Sequence, residues 1–223
     1  MNPTPSTSSG GSAPKKDDYL DPYRDALQTH GASFDTMLWK SRATQTVRFD
    51  VLLSMVKLTG MCILDAGCGL GDLSSHLNHV GVEFRQYVGV DGLPRMVEKA
   101  IARNLPRSEF LAVDFVTDPA VFKMKRPDVV FFSGSLNTLD EENARRIVYD
   151  AFDAATSAVV FNFLSDRCSE AMKKTDTGPA NRFNTIGWID WALSLSTNVM
   201  VRQDYLAGHD ATIAIFKPAR KGT

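Results

Sequence analysis

The sequence predicts an α/β fold: a mostly parallel, doubly wound sheet of seven strands with helices on both faces. Three observations lead to this prediction. Short apolar runs alternate with amphipathic stretches from residue 61 to residue 195, as in proteins built from β-α-β units. A glycine-rich segment follows the first apolar run. Two β-rich runs, at residues 198–205 and 211–217, have the pattern of a hairpin, so the last strand should be antiparallel to its neighbours.

The apolar runs predict the strands, and the amphipathic stretches between them predict the helices. A short continuous apolar run bounded by turn residues is typical of a strand buried on both faces. The first five strands are expected at residues 61–65, 86–91, 109–113, 128–133 and 157–163. The helices are expected at residues 72–79, 93–104, 140–153 and 185–195. Residues 165–184 have weak periodicity and predict a mobile loop or short helix on the ligand side of the sheet.

The segments before the core divide into a polar tail and a helical cap. Residues 1–17 are rich in Pro, Ser, Thr and Gly, a composition that predicts a disordered tail. Residues 18–60 have a helical pattern with one apolar stripe. The stripe consists of Val47, Val51, Leu52, Met55 and Val56. Because this region precedes the first strand, we expect it to cap the site formed by residues 61–223, within a single domain.

Composition and charge narrow the class of protein. The 223 residues are 43% hydrophobic and 23% charged, which suits one ordinary globular domain. The net charge of −1 gives no strong nucleic-acid signal. No apolar run approaches the ~18 residues of a membrane helix, and the N-terminus has no signal-peptide core. Three cysteines, an odd number, favour reduced thiols and a cytoplasmic location.

The strongest ligand signal is residues 61–72, Met-Cys-Ile-Leu-Asp-Ala-Gly-Cys-Gly-Leu-Gly-Asp. A predicted strand ends in Asp65 and leads through three alternating glycines into a helix. These glycines are Gly67, Gly69 and Gly71. Such a loop makes a cofactor pocket in open α/β sheets, because glycine lets the backbone approach a ligand closely. Asp91 closes the next apolar run, twenty positions after the last glycine, where a carboxylate can accept hydrogen bonds from two ribose hydroxyls.

A dinucleotide site is the alternative interpretation of this loop. The dinucleotide fingerprint is G-x-G-x-x-G, and here Asp72 stands where the third glycine is needed. Asp65 and Asp91 add negative charges that suit an amine or a sulfonium and repel a pyrophosphate. The sequence therefore favours a cationic nucleoside over NAD. Cys68, inside the loop, is interpreted as a small apolar filler rather than a nucleophile.

Four segments, in the family's order, resemble those of the class I S-adenosylmethionine (SAM)-dependent methyltransferases. They are the glycine-rich first motif at residues 65–71, the acidic strand end at 90–91, the adenine-contacting segment at 113–115 and the fourth strand with its loop at 128–134. The downstream strand pattern extends the likeness to residue 217. The flanking segments are similar to those of a bacterial-type branch, a likeness that names no substrate. Those flanks are residues 30–31, 38–42 and 161–165.

This resemblance implies that SAM is the cofactor and that S-adenosylhomocysteine (SAH) is the product of an in-line methyl transfer. Asp91 is expected at the ribose, Asp65 at the methionyl ammonium and Asp114 at the adenine amine. Alternatively, Asp114 is an ordinary aspartate at the end of a strand, and Phe115 is an ordinary core residue. The residues expected to bind the cofactor are Asp65, Gly67, Cys68, Gly69, Gly71, Asp91, Gly92, Leu93, Asp114, Phe115 and Ser133.

The sequence indicates the methyl acceptor less clearly than the cofactor. Residues 133–137, Ser-Gly-Ser-Leu-Asn, depart from the Asn/Asp-Pro-Pro-Tyr motif of enzymes that methylate planar amide or base nitrogens. They also offer no obvious set of magnesium ligands, so no metal is expected. Candidate acceptor contacts are Trp39, Arg42, Gln45 and Asn137. In an equally weighted alternative, Trp39 packs the cap against the sheet and Arg42 is solvated.

No catalytic residue stands out, and the weak candidates are His209, Tyr205 and Asn162. His209 has the near-neutral pKa of a general base, but an exposed turn histidine is the alternative. Asn162 is expected either to face the acceptor or to form hydrogen bonds with backbone groups. Alignment of the reactants lowers the free-energy barrier by roughly 7–11 kcal/mol. A general base typically accelerates a reaction by ~10²–10⁴-fold, which is the smaller effect. Activity therefore does not require a recognisable catalytic dyad.

The predicted partner is a small-molecule acceptor. A protein or RNA acceptor is one alternative, and the lysines that would form its groove are few and scattered. A non-catalytic SAM-binding scaffold is the other alternative. We expect a monomer or a homodimer and no membrane association.

Overall fold

A twisted sheet with helices on both faces forms the centre of the molecule. The computed structural model describes residues 18–218. The predicted tail at residues 1–17 lies outside the described residues, as do residues 219–223. Within the described part, no helix combines the length and the apolar character needed to cross a bilayer.

The strands follow the predicted order along the chain. They are β1 (Cys62–Ala66), β2 (Gln86–Asp91), β3 (Ser108–Ala112), β4 (Val129–Phe132), β5 (Ala158–Ser165), β6 (Arg182–Phe183), β7 (Val199–Arg202) and β8 (Asp210–Phe216). Across the sheet the order is β3-β2-β1-β4-β5-β8-β7, and β6 pairs with the end of β5. Strands β1 to β5 are parallel, whereas β8 is antiparallel to β5 and β7. The predicted fold class is confirmed, with the two-residue β6 added to the seven expected strands.

The helices also fall close to their predicted places. They are α1 (Asp21–His30), α2 (Arg42–Met55), α3 (Asp72–His79), α4 (Pro94–Ala102), α5 (Val121–Met124), α6 (Glu141–Ala154), α7 (Glu170–Lys173) and α8 (Thr185–Leu195). The ends of α3 and α8 match the prediction. Helices α5 and α7 have four residues each and are too short to produce a hydrophobic period.

Local chemistry fixes where several helices begin. Ser41, Asp140 and Asn184 accept backbone hydrogen bonds from the residues three positions ahead, at 3.2, 2.8 and 3.0 Å, and so cap α2, α6 and α8. Helices α1 and α4 have proline in their first turn, where its missing N–H is not needed. Helix α3 begins after Gly71, which has a left-handed φ of 75° and no capping side chain.

Two apolar clusters, one on each face of the sheet, hold these layers together. Strand β4 divides its side chains between them: Val129 and Phe131 face one cluster, and Val130 and Phe132 face the other. This alternation reflects the twofold repeat of a strand buried on both faces. The cluster of Val129 and Phe131 includes most of the buried residues of α2, so the cap helix packs on the same core as the sheet.

The topology places the ligand edge next to the glycine loop. Strand β1 pairs with β2 on one side and with β4 on the other, so the chain reverses its winding direction at β1. Ligands of open α/β sheets bind at such a point, beyond the carboxyl ends of the strands. The loops that follow β1, β2 and β4 therefore meet at one rim.

Candidate cofactor and acceptor site

A cavity of about 970 Å³ opens at this rim, between the strand ends and the helical cap. In sheet order its lining includes Asp91 and Leu93 at the end of β2, Asp65 and Gly69 at β1, Ser133 and Asn137 after β4, and Leu164 at β5. Because neighbouring strands lie about 4.8 Å apart, the distance from β2 to β5 is roughly 14 Å. Small-molecule sites occupy roughly 300–1,000 Å³, so this cavity is at the large end of that range.

Charge divides the cavity into two parts. The acidic half is the part lined by Asp65, Asp72 and Asp91. The far half is the part lined by Lys40, Gln45, Arg48, Asp176 and His209. His209 lies beyond the end of β5, where its carbonyl accepts a hydrogen bond from the Ser165 N–H at 2.9 Å.

The glycine loop forms the floor of the acidic half. Gly67 and Gly69 have left-handed φ values of 84° and 52°, which glycine adopts without steric cost. A Cβ at Gly67 would lie 2.5 Å from the Cβ of Ser135, and one at Gly69 would lie 2.5 Å from the Sδ of Met37. The loop therefore needs glycine for its conformation and for close approach to the cap. Gly71 is not part of the lining and packs against the Phe110 ring.

Asp91 is held in place by the backbone of two loops. Its carboxylate accepts hydrogen bonds from the Gly69 N–H and the Leu93 N–H, both at 2.9 Å. Burial raises the pKa of Asp91, and these two backbone donors oppose that rise. A carboxylate has about four acceptor positions, so each oxygen can accept a further hydrogen bond from a ligand.

Asp65 is the most unusual group in the cavity. Its Oδ2 accepts a hydrogen bond from the Tyr87 hydroxyl, whereas its buried Oδ1 has no partner within residues 18–218. Burial raises the pKa of Asp65 to about 7, and the Asp91 and Asp72 carboxylates add to the rise. A buried polar atom without a partner is costly, and a cationic ligand would supply one.

Asp72 brings a third carboxylate to this half. Its Oδ1 accepts a hydrogen bond from Arg103 at 2.6 Å. Its Oδ2 is buried without a hydrogen bond among the described residues, and the nearest Arg42 nitrogen lies 3.8 Å away. Arg42 itself is largely exposed, sits 4.4 Å over the Phe34 ring and does not line the cavity.

The part of the cavity near the ends of β2 and β3 contains residues that the sequence did not indicate. Phe115 lines the cavity and packs on the core. Asp114 does not line it; its Oδ1 accepts hydrogen bonds from the Tyr19 hydroxyl and, at 2.9 Å, from the Val116 N–H. The additional lining residues here are Tyr19, Leu20 and Tyr23. Tyr19 follows the polar tail directly, where no hydrophobic period marks it.

In the far half, Trp39 and Arg48 connect the cap to the sheet. A Cβ at Gly134 would lie 2.5 Å from the Trp39 ring, so the indole covers the loop after β4. The Arg48 guanidinium lies 4.6 Å over the same ring. It also forms a two-pronged ion pair with Asp210, at 2.6 and 2.8 Å. Both members of this pair are buried.

His209 is half-buried in the far half rather than exposed on a turn. An Arg182 nitrogen donates a hydrogen bond to its Nδ1 at 3.2 Å. Burial lowers the pKa of His209, and the charges of Arg182, Arg48 and Lys40 add to this, against the opposing charge of Asp210. The imidazole is therefore neutral at pH 7.

The other catalytic candidates make structural contacts. Tyr205 is buried outside the cavity lining, and its hydroxyl lies 2.6 Å from the Thr212 hydroxyl. Asn162 accepts a hydrogen bond from the Gly134 N–H at 2.7 Å, and its buried Nδ2 has no partner in the described part of the chain. Asn137 lines the cavity, as do Trp39 and Gln45.

The chain has the Rossmann-like fold of the class I SAM-dependent methyltransferases. A family model described as a methyltransferase domain matches residues 63–158. That match runs from β1 to the start of β5 and includes the glycine loop and Asp91. This stretch is therefore similar in sequence to a methyltransferase domain. No curated protein sequence matches the chain significantly.

Solved structures with this fold include several methyltransferases. A DhpI–SAM–HEP complex has 16% identity and a TM-score of 0.65, over 95% of this chain and 100% of that chain. An O-methyltransferase family protein from Burkholderia thailandensis has 19% identity and a TM-score of 0.67, over 87% and 61%. Magnesium protoporphyrin IX methyltransferase (ChlM) from Synechocystis PCC 6803, with bound SAM, has 15% identity and a TM-score of 0.64, over 94% and 100%. At these identities the likeness concerns the fold.

Proposed function

We propose that this protein transfers a methyl group from SAM to a small molecule. The observation that carries the proposal is the acidic half, where a glycine loop meets three carboxylates and Asp65 has a buried oxygen without a partner among the described residues. SAM is a nucleoside with a positively charged sulfur and an ammonium group. Negative charge and close backbone approach are what such a ligand requires.

The chain's residues suit each part of this cofactor. Asp91, fixed by two backbone donors, would accept hydrogen bonds from the ribose hydroxyls. Asp65 would pair with the ammonium through Oδ1. Leu93 and Phe115 supply apolar surface for the base. Bound SAM supplies a methyl group that its positive sulfur has already activated, so the protein's own task is alignment and exclusion of water.

The cap performs the exclusion of water. Met37 lies against the glycine loop, and Trp39 lies against the loop after β4. The segment after α7 lines the opposite wall of the far half. An acceptor enclosed between these walls would meet the cofactor above the carboxyl end of β4.

Three features support a small acceptor. The far half is part of a concave cavity between the strand ends and the cap. The net charge of −1 provides no broad basic face for RNA. One structure with this fold is named for a small molecule, magnesium protoporphyrin IX. We also propose a cytoplasmic location, because Cys62, Cys68 and Cys168 are free and buried, as expected in a reducing compartment.

Transfer of label tests the proposal. The full-length protein is incubated with SAM carrying a tritiated methyl group and a deproteinised metabolite extract. We expect tritium in a low-molecular-weight product, which should be absent with heat-inactivated protein. In a parallel incubation with an untreated cell extract, label that is lost after proteinase or ribonuclease treatment would instead indicate a macromolecular acceptor. Binding of SAM without transfer to any fraction would indicate a non-catalytic SAM-binding protein.

A further inference from the structure

We propose that the methyl acceptor is an organic oxyanion, an acid that is ionised at neutral pH, held in the far half by Lys40, Gln45 and His209. This inference rests on the proposed function, because it assigns the substrate class of the same cavity. Four observations carry it: the hydrogen-bonding state of His209, two donors without partners, the balance of charge, and the proton requirement of the reaction.

His209 presents a donor rather than a base. A guanidinium group only donates hydrogen bonds, so the contact with Arg182 makes Nδ1 of His209 the acceptor. The ring proton of the neutral imidazole is then on Nε2. No partner for Nε2 occurs among the residues that the structure describes, and His209 lines the cavity. Because the Nδ1 lone pair is occupied, the free polar group is an N–H donor for a ligand.

Two further donors face the same space. Gln45 is only 6% exposed and lines the cavity, yet its side-chain amide has no hydrogen-bond partner within residues 18–218. Lys40 is an exposed residue of the cap that also lines the cavity, and its ammonium forms no ion pair with any described residue. The Gln45 amide can therefore donate a hydrogen bond to an acceptor on the ligand.

The charges of the far half favour an anion. Arg48 and Asp210 neutralise each other in their ion pair. Asp176 is exposed and uses Oδ1 to accept the Gly178 N–H. Arg182, directly behind His209, donates to the carbonyls of residues 165, 172 and 209 and pairs with no carboxylate in the described part of the chain. Lys40 and Arg182 together thus outweigh Asp176, whereas the other half carries Asp65 and Asp91 besides Asp72, which is paired with Arg103.

The reaction that follows needs no proton acceptor. An ionised oxygen of the acid attacks the methyl carbon; the new O–CH3 bond forms as the S–CH3 bond breaks, and that electron pair stays on sulfur. The negative oxygen and the positive sulfonium both become neutral, giving an ester and SAH. A hydroxyl or amine acceptor would release one proton per methyl transferred. The lack of a free base at His209 therefore agrees with an acceptor that is already ionised.

Equilibrium binding tests the recognition. Protein saturated with SAH is titrated with 3-phenylpropionate, 2-phenylethylphosphonate and the neutral 3-phenylpropionamide. We expect at least one of the two acids to bind tenfold or more tightly than the amide. Lys40→Gln and His209→Ala should reduce this ratio to below threefold. His209→Gln keeps a donor near the position of Nε2 and should preserve the ratio, as should the control Lys99→Gln on the exposed face of α4.

The outcomes separate the two proposals. Failure of the wild-type protein to bind SAH removes the proposed function. Normal SAH binding with equal affinity for the acids and the amide overturns only the oxyanion proposal. So does a Lys40→Gln variant that loses SAH affinity but keeps the preference for acids, because Lys40 would then serve the cofactor.

The product provides a second, independent readout. Tritiated product from the extract is treated with mild alkali, which releases methanol from a carboxylate ester but leaves a methyl phosphonate, an ether or a methylamine intact. Turnover of an isolated acceptor, measured in weak buffer at a pH above the second pKa of a phosphonate, should release no proton. Volatile label indicates a carboxylate, and stable label without proton release indicates a phosphonate. One proton per turnover with stable label contradicts the proposal.

Discussion

Asp65 should couple cofactor binding to pH. Burial raises its pKa to about 7 in the ligand-free protein, and a cation beside Oδ1 would favour the ionised form. Binding below pH 7 must therefore remove a proton, so affinity should fall by up to about tenfold per pH unit. We expect SAH affinity, measured by calorimetry, to be about tenfold weaker at pH 6 than at pH 8. The pH dependence should disappear in Asp65→Asn, and its persistence there would assign it to another group.

The same residue should lower the stability of the ligand-free protein at high pH. A pKa raised on folding means that the contribution to stability is fully present below the unfolded value, near 4. It is lost progressively as the pH rises and is gone above the folded value of about 7. Asp65→Asn should therefore stabilise the protein against urea more at pH 8 than at pH 4. A stability difference that does not change with pH would contradict this account.

Asp91 should contribute a large part of nucleoside affinity. Hydrogen bonds to a charged group contribute roughly 1.5–3 kcal/mol, so Asp91→Ala should weaken SAM binding by about ten- to a hundredfold. Asp190→Ala, which removes an exposed carboxylate from α8, is the matched control and should leave the affinity unchanged. Unchanged calorimetric affinity in Asp91→Ala would exclude the ribose role.

Residue positions differed in how far the sequence could predict them. The glycine loop and Asp91 were predictable, because a strand, a turn and a helix start are local patterns. Lys40 lines the cavity only because the cap folds back over the sheet, which no local pattern encodes. Arg48 and Asp210 are 162 positions apart, and Asp114 is partnered by Tyr19 from a segment whose place depends on tertiary packing.

At the scale of elements, the ion pair between α2 and β8 should hold the cap in place. Removing one partner of a buried pair leaves an uncompensated charge and costs roughly 3–5 kcal/mol. We expect Asp210→Asn to lower the free energy of unfolding in urea by about that amount. Arg146→Ala, which breaks the more exposed α6 pair with Asp150, should cost no more than about 1 kcal/mol. Equal effects of the two variants would show that the buried pair does not anchor the cap.

We propose that the cap and the core form one cooperative domain, because α2 shares an apolar cluster with β1 and β4. Among the elements, those with strong periods or caps were predicted well. Asn184 caps α8, and its helix began and ended where expected. Strand β6 has two residues and α7 has four; elements this short form because of their tertiary neighbours and leave no repeat in the sequence.

At the scale of the whole molecule, the order of the strands places acidic residues at one end of the cavity and basic residues at the other. Asp65 lies in β1, Asp91 ends β2 and Asp72 begins α3. Arg182 and His209 lie beyond the end of β5. A cation and an anion would therefore bind side by side, with their reacting atoms above β4. The sequence contained all of these residues, but only the crossover topology places them at two ends of one cavity.

The central claim is that the acidic half binds a positively charged sulfur nucleoside. Titration calorimetry of the full-length protein with SAM, and separately with NAD, tests it most directly. We expect one SAM per chain with a dissociation constant in the micromolar range, about −8 kcal/mol, and no heat from NAD. Binding of NAD, or the absence of binding by SAM and SAH alike, would contradict the account.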